Sequence, residues 1–284
     1  MQQNQCADAA DNIIRLQVLI VAYGKKGIES VATLQHPQIK GVEYLVSWQY
    51  GDDKPIIPPS LSERGDFRIY PTDTRGVATN RNLVLSHASA PLLLSSDDDV
   101  AYTPDQIQAV IDTFDSYPDI DFFTFRYSSS VAPREYPSRS FSLLDKWPKL
   151  YYVTGFEMAW RREALARYDI KFNTLFGVGE YFCAGEEDLF VHDVVRNKIP
   201  SRFIPVTICA HDSDTTCMRI EDTPRFIQTK GASIAIMHPA TWPLRMITHA
   251  LRFTGSIRDK FNYCADWLKG VRDLRRLNRK RKKQ

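Results

Sequence analysis

Apolar and polar residues alternate along the first half of the chain in blocks whose lengths predict strands and helices in turn. Residues 16–23 (LQVLIVAY) form a nearly continuous apolar run, which is typical of a strand covered on both faces. Further strands are predicted at 42–48, 67–70 and 92–94, with short helices at 28–34 and 79–88. This alternation favours an α/β fold with a mostly parallel central sheet flanked by helices.

The second half of the chain continues this pattern with more interruptions. Thr103 and Pro104 predict a helix start, because threonine is a good N-cap and proline suits the first helical position. Residues 128–147 are polar and contain two prolines, so they are predicted to form a loop that moves. Strand-like patterns are predicted at 121–127, 151–160 and 202–209, and a helix opens at residue 186.

The apolar run at 92–94 leads into three consecutive carboxylates, Asp97, Asp98 and Asp99. In α/β sheets, ligands bind at the carboxyl ends of the strands. Alternate residues of an extended segment point the same way, so Asp97 and Asp99 can share a task while Asp98 faces elsewhere and is expected to tolerate change. Such a cluster requires water or a hard cation with oxygen ligands. The alternative is a solvated turn with capping residues.

Three other places carry more polar residues than packing requires. Residues 186–188 (Glu-Glu-Asp) open a predicted helix after a glycine, where capping alone is the alternative. His211 follows the last predicted strand, where a purely structural histidine is the alternative. Arg75 and Arg81 precede the acidic strand, and pairing with its carboxylates is the alternative role for Arg81. Each group lies where a strand ends or a helix begins, and such ends gather at one rim of an α/β sheet.

The order of these motifs resembles that of family 2 glycosyltransferases with the GT-A fold for nucleotide sugars. The motifs are LQVLIVAYG, RGVATNRN, the DDD stretch as the family's DxD motif, TGFEMAWRRE, GEEDLF and a late strand ending in histidine. The resemblance spans residues 16–214. It implies a GT-A domain at 16–235, preceded by an N-terminal extension at 1–15 and followed by an aromatic and basic helical extension at 236–284.

The resemblance also implies a role for individual residues. Asp97 is expected near the ribose of the sugar nucleotide, and Asp99 is expected to ligate a divalent Mn²⁺ or Mg²⁺ that bridges the diphosphate, with His211 as a further metal contact. Asp188 is expected to be the general base, with Glu187 beside it. The family's DDGS turn reads QYGDD in this chain. The remaining candidates for binding the nucleotide donor are Asp52, Asp53, Arg75 and Arg81.

The predicted chemistry is the transfer of a sugar from a nucleoside diphosphate. A cation neutralises the leaving group, and a base removes the proton of the acceptor hydroxyl. One base without an enzyme nucleophile predicts inversion. The resemblance implies a glycan or lipid-linked acceptor, in surface polysaccharide (capsule or lipopolysaccharide) biosynthesis. The alternatives are a nucleotidyltransferase on a related sheet, for which residues 23–27 faintly resemble the glycine-rich loop, and a non-catalytic protein that binds sugar nucleotides.

The formal net charge of +3 conceals a basic end on an acidic body. Residues 268–284 hold nine of the 37 lysine and arginine residues and only one of the 34 acids. With the aromatic residues of 241–268, this composition predicts peripheral contact with an anionic membrane through the C-terminal tail. The alternative is a helix packed on the domain with a solvated basic end. Nucleic acid is not expected as a partner, because no binding motif accompanies the basic run.

Cysteine spacing and the lack of targeting patterns indicate a cellular location. Five widely spaced cysteines form no CxxC pair, and there is neither a secretory signal pattern nor an apolar run long enough to span a bilayer. These features predict a cytoplasmic protein, which lies at the inner face of the membrane if the tail docks there.

Overall fold

A computed structural model describes residues 13–52, 54–212 and 223–281. The chain divides into two compact units. The first comprises Met1–Arg75, Thr79–Lys171 and Asp193–Asp214, and the second comprises Gly76–Ala78, Phe172–His192 and Thr215–Gln284. The domain boundaries expected from the sequence, at residues 15 and 235, stay a prediction.

The strands of the described residues lie in the first unit and form one sheet. In chain order they are β1 (Leu16–Tyr23), β2 (Val42–Gln49), β3 (Phe67–Thr72), β4 (Leu92–Asp97), β5 (Phe122–Ser128), β6 (Phe141–Ser142), β7 (Met158–Arg161) and β8 (Ser201–Ala210). Their order across the sheet is β3-β2-β1-β4-β7-β5-β8-β6. Pairing is parallel from β3 through β4 and between β5 and β8, whereas β7 and β6 run antiparallel to their neighbours. The predicted α/β class with a mostly parallel sheet is confirmed.

Helices occupy the connections between the strands and the C-terminal part of the chain. They are α1 (Gly24–Thr33), α2 (Pro59–Ser62), α3 (Val77–Ser86), α4 (Pro104–Ser116), α5 (Arg162–Ala166), α6 (Glu186–Arg196), α7 (Pro224–Met237), α8 (Trp242–Arg252) and α9 (Ile257–Arg281). Helix α4 starts as predicted: the Thr103 hydroxyl accepts from the Gln106 N–H, and the Gln106 side chain accepts from the Thr103 N–H. This reciprocal capping satisfies two donors that the first helical turn leaves open.

The continuous apolar strands form the core of the first unit. Every residue of β1 from Leu16 to Ala22 is buried, as expected for a strand covered on both faces. Gln17 is the polar exception, and its amide is fully used: Nε2 donates to Glu43 (2.9 Å), while Oε1 accepts from the backbone N–H groups of Ser89 (2.7 Å) and Ala90 (2.9 Å). These bonds fix the approach to β4, whose end carries the acidic cluster.

The prediction of a strand at 151–160 is wrong for most of these residues. Only β7, at its end, is extended; before it, Gly155–Glu157 form a 3₁₀ turn. The Glu157 carboxylate accepts from both the N–H and the hydroxyl of Thr154, each at 2.7 Å. Because this local capping satisfies backbone groups that a strand would need to pair elsewhere, it favours the turn over an extended segment.

The segment 128–147 is held at several points, which include the pairing of β6 with β8 and the bond from the Ser130 N–H to Asp212. Arg134 is buried, donates to the Glu157 carboxylate at 2.9 Å, and also donates to the backbone carbonyl of Tyr152. The Tyr136 hydroxyl donates to the same carboxylate at 2.6 Å. The prediction of a moving loop therefore overlooked a buried ion pair that anchors its middle.

The helices α7, α8 and α9 belong to the second unit. Helices α7 and α9 cross closely at Gly231 and Gly270, since a Cβ atom on Gly270 would lie 1.9 Å from the carbonyl oxygen of Gln228. Trp267 and Tyr263 of α9 are buried in this unit's apolar cluster. These aromatic side chains were expected on a membrane face and instead form core. No helix in the described ranges is both long and apolar enough to cross a membrane.

His36 is a buried histidine of the first unit that lies among aromatic rings. Its ring centroid is 5.2 Å from that of Tyr44 and 5.9 Å from that of Phe67, and neither ring nitrogen has a hydrogen-bond partner among the described residues. Burial, assisted by the positive charge of Arg64, lowers the pKa of His36 to about 4. The unfolded chain, with an ordinary histidine pKa, therefore binds this proton first as the pH falls.

We predict that His36→Phe makes the protein more stable in mild acid. In wild type, the free energy of unfolding falls as the pH drops from the unfolded histidine pKa towards about 4, because the unfolded chain takes up the proton first. The variant lacks this loss. Between pH 8 and pH 5, the unfolding free energy of the variant should therefore rise by about 2 kcal/mol relative to that of wild type. Urea denaturation at the two pH values measures this difference. Parallel pH profiles of the unfolding free energy for the two proteins would contradict the prediction, because they would show that His36 takes up its proton at the same pH in the folded and unfolded chains.

Candidate active site

The three aspartates at the end of β4 have three different partners. Asp97 Oδ1 accepts from Nη2 of Arg81 at 2.8 Å. Asp99 Oδ2 lies 3.3 Å from Nε2 of His211. Asp98 turns the other way and accepts from the backbone N–H of Tyr23 at 3.2 Å. Strand β4 ends at Asp97, and Asp98 and Asp99 lie in the turn that follows, so the different directions of the side chains arise from the turn and not from an extended segment. The partners offset the repulsion between neighbouring carboxylates.

Asp98 holds the start of helix α1. A Cβ atom on Gly27 would lie 2.2 Å from Asp98 Oδ2, so the glycine leaves room for this carboxylate. Burial raises the pKa of Asp98 to about 7, against the opposing effect of the Tyr23 N–H. The expectation that Asp98 tolerates change is not supported, because its replacement would remove a contact between the acidic strand end and α1.

Arg81 is buried and directed at Asp97 by the packing around it. It lies on α3, and its guanidinium passes Gly155 so closely that a Cβ atom there would be 2.0 Å from Nη1. Pairing with the acidic cluster, which was the alternative role for Arg81, is what the structure shows. Its direct contact with a nucleotide stays a prediction.

His211 is held in place by rings on two sides. Its imidazole stacks on Phe156 with centroids 4.7 Å apart and meets Tyr127 edge-on at 6.0 Å. Its backbone N–H donates to the carbonyl of Ser128 at 2.9 Å, which fixes the chain where β8 ends. Burial alone would lower the pKa of His211, but the hydrogen bond and charge of Asp99 outweigh burial and raise the pKa above its usual value.

The 3₁₀ turn at Gly155–Glu157 supports the partners of both Asp97 and Asp99. Gly155 lies against Arg81, the partner of Asp97, and Phe156 stacks on His211, the partner of Asp99. Glu157 anchors the turn with a carboxylate that is 0% exposed. Sequence reasoning missed this turn, although Thr154 and Glu157, three residues apart, are the spacing of a capping box.

The other residues predicted to contact the nucleotide include an exposed ion pair. The side chains of Asp52 and Arg75 are exposed and lie 3.7 Å apart. Exposed ion pairs of this kind add little to stability. Asp53 lies outside the described residues. The roles of Asp52, Asp53 and Arg75 in binding a nucleotide stay predictions.

In the second unit, Asp188 lies in the first turn of α6. Gly185 precedes this helix with a φ of +92°, a conformation that favours glycine. The Asp188 side chain is exposed to solvent, yet the protein around it displaces much of its hydration. This desolvation, together with the negative charge of Glu187, raises the pKa of Asp188 to about 6. A carboxylate with this pKa is ionised at neutral pH and can still accept a proton.

A segment of the chain matches a known family of enzymes. Residues 56–184 match the model described as Glycosyl transferase family 2, and this segment contains the acidic strand end, Arg81 and the 3₁₀ turn. Over these 129 of 284 residues the chain is family 2-like, and the match supports a glycosyltransferase. The matched segment ends before Asp188 and His211, whose roles therefore depend on the wider resemblance.

Solved structures share the fold of this glycosyltransferase. Residues 1–349 of TarS from S. aureus superpose with a TM-score of 0.60 at 15% identity, covering 93% of this chain and 73% of that one. A longer TarS structure gives a TM-score of 0.61 at 15% identity, covering 90% of this chain and 49% of that one. The likeness shows the GT-A fold, as expected. No curated protein matched the chain.

The glycosyltransferase offers two ligands for a divalent cation at the end of β4. In the part of the chain that the structure describes, no three histidine, cysteine, aspartate or glutamate side chains form a metal site. Asp99 and His211 supply one carboxylate and one imidazole that already face each other. A pair of this kind fits Mn²⁺ or Mg²⁺, which commonly bind through one or two carboxylates and complete their coordination with substrate phosphates and water.

We predict that Gly155→Ala weakens nucleotide binding because the added methyl group displaces Arg81 from Asp97. Loss of a hydrogen bond between charged groups costs about 1.5–3 kcal/mol, so affinity should fall about 10- to 100-fold. Calorimetry with nucleoside diphosphates and Mn²⁺ measures the change. Gly65→Ala is the matched control, since nothing lies within 4 Å of a Cβ atom there. Equal affinities for the two variants would contradict a supporting role for the turn.

Proposed function

We propose that this glycosyltransferase moves a sugar from a nucleoside diphosphate to a hydroxyl of a glycan or lipid-linked acceptor, with inversion at the anomeric carbon. The observation that carries the proposal is the end of β4, where Asp97 and Asp99 are held by Arg81 and His211. The nucleotide class is supported by the similar structure of S. aureus TarS in complex with UDP-GlcNAc, at 15% identity and a TM-score of 0.60, covering 90% of this chain and 72% of that one.

On the donor side, the roles follow from the chemistry of each side chain. Arg81 holds one oxygen of Asp97, which leaves the carboxylate oriented to accept hydrogen bonds from ribose hydroxyls. Asp99 and His211 would hold Mn²⁺ or Mg²⁺. When bound, the cation supplies positive charge that stabilises the diphosphate leaving group. The stacked Phe156 ring keeps the His211 imidazole in place.

On the acceptor side, we assign Asp188 as the general base. Its raised pKa, about 6, leaves it ionised near neutral pH and gives it a stronger affinity for the acceptor proton than an ordinary aspartate has. The charge of the neighbouring Glu187 contributes to this shift. Removal of the hydroxyl proton as the oxygen attacks requires no covalent intermediate, which is why inversion is expected.

The proposal extends to surface polysaccharide biosynthesis, such as capsule or lipopolysaccharide, in line with the family resemblance. The basic and aromatic composition of the C-terminal tail extends it to the cytoplasmic face of a membrane. The alternative of a nucleotidyltransferase is less well supported. The segment after β1 forms the first turns of α1, and the Tyr23 N–H is occupied by Asp98.

We predict that Asp188→Asn retains donor binding and loses transfer. A panel of nucleoside diphosphate sugars with Mn²⁺, followed by mass spectrometry, identifies the donor. With that donor, transfer by the variant should fall about 10²- to 10⁴-fold, because an amide cannot accept the proton. The wild-type rate should rise with pH through about 6, as the Asp188 carboxyl ionises, and the variant should lack this rise.

Asp169→Asn is the matched control, since Asp169 is an exposed aspartate paired with Lys171. It should behave as wild type in both rate and pH profile. A variant at 188 with unimpaired transfer, or a product that retains the anomeric configuration, would contradict the assigned base. Consumption of nucleoside triphosphate with release of pyrophosphate would instead identify a nucleotidyltransferase.

A further inference from the structure

Helix α8 is apolar on two adjoining faces. One face, which includes Met246 and Ala250, packs into the apolar cluster of the second unit. The other carries Leu244, Ile247 and Leu251, which are 64%, 50% and 68% exposed. Their spacing of three and four residues aligns them along one side of the helix. Arg245, Thr248 and Arg252 form the polar side of α8, and the apolar surface beside it extends beyond the residues that pack, so that its outer part is exposed.

Helix α9 carries a second exposed stripe, which changes character along its length. Ile257, Phe261 and Leu268 are 77%, 71% and 38% exposed and fall on one side at 100° per residue. The same side continues towards the C-terminus with three exposed arginines, Arg272, Arg275 and Arg279. The stripe is therefore apolar in the first half of the helix and basic in the second.

The end of α8 and the start of α9 contact each other. Lys260 donates from Nζ to the carbonyl of Leu251 at 3.2 Å, and the rings of Phe253 and Tyr263 lie 4.8 Å apart. Residues 242–281 contain eleven lysine and arginine residues against three aspartates. The apolar surface thus lies within a strongly basic part of the chain.

The charge argues for one kind of partner. A second copy of this chain would bring basic stripes against each other, and such like-charge contacts are unfavourable. A bilayer with anionic headgroups provides apolar depth for the leucine, isoleucine and phenylalanine side chains and phosphates for the arginines. Long basic side chains also extend along an apolar surface while keeping their charge at the headgroups.

We propose that the outer face of α8 and the stripe of α9 dock on an anionic membrane surface. This inference goes beyond the proposed transfer reaction and does not depend on it. The docking residues differ from those expected from composition, because Trp267 and Tyr263 are core residues and the exposed side chains are aliphatic apart from Phe261. Docking would bring the enzyme to the surface where a lipid-linked acceptor resides.

Flotation with vesicles tests the proposal on the full chain. Wild type should bind phosphatidylcholine vesicles that contain 30% phosphatidylglycerol, bind poorly to pure phosphatidylcholine, and release at high salt. The triple variant Leu244→Gln, Ile247→Gln, Leu251→Gln should bind at least roughly tenfold more weakly, because it removes apolar area that enters the membrane. Arg272→Gln with Arg279→Gln should weaken binding about thirtyfold, since each charge acts near the surface.

The matched control replaces three exposed apolar residues of the first unit. Ile56→Gln, Leu144→Gln and Leu150→Gln together should leave vesicle binding unchanged. All substituted side chains are exposed, and thermal unfolding confirms that each variant is folded.

Three results would overturn the proposal. Failure of the wild-type protein to bind anionic vesicles would exclude the membrane as the partner. Binding of the α8 variant as tight as that of wild type would identify a polyanion site that uses the arginines alone. Concentration-dependent association in solution that the α8 variant abolishes, without vesicle binding by wild type, would identify a second copy as the partner.

Discussion

The hydrogen bonds of the buried Glu157 carboxylate are the interactions on which the arrangement at the end of β4 depends. An unpaired charge at this depth would be very costly. Here the carboxylate accepts from Arg134 at 2.9 Å, from the Tyr136 hydroxyl at 2.6 Å and from Thr154. These bonds hold the 3₁₀ turn in one conformation. Because Gly155 and Phe156 belong to that turn, the position of the buried carboxylate determines where Arg81 and His211 can lie.

The consequence for function is a set of acidic groups that are oriented before any ligand arrives. Three adjacent aspartates would otherwise repel one another and adopt many arrangements. Separate partners from α3, the end of β1 and the residue after β8 direct them instead. Groups fixed in advance lose less conformational freedom on binding, and they stabilise developing charge without reorganising. The site therefore derives its order from packing as well as from its charged residues.

Much of the fold and part of the site could be predicted from sequence, for physical reasons that differ by element. Continuous apolar runs identified β1 and β2, and Thr103 identified the start of α4, because these signals are local. The turn before β7 was missed because the apolar pattern of 151–160 also suits a strand, and only the contacts of Glu157 decide between them. Likewise, composition at 241–268 showed many aromatic residues but not that Trp267 faces the core, which depends on the neighbouring helices.

The central claim is that the end of β4 binds a nucleoside diphosphate together with a divalent cation. Titration of Mn²⁺ in the presence of UDP, with the free-ion signal followed by electron paramagnetic resonance, tests it most directly. We expect UDP to promote binding of about one Mn²⁺ per chain, in line with the Asp99 and His211 pair, and Asp99→Asn to abolish that binding while the exposed-site variant Asp169→Asn retains it. UDP affinity that is the same with EDTA as with Mn²⁺, or Mn²⁺ uptake that Asp99→Asn leaves unchanged, would contradict the claim.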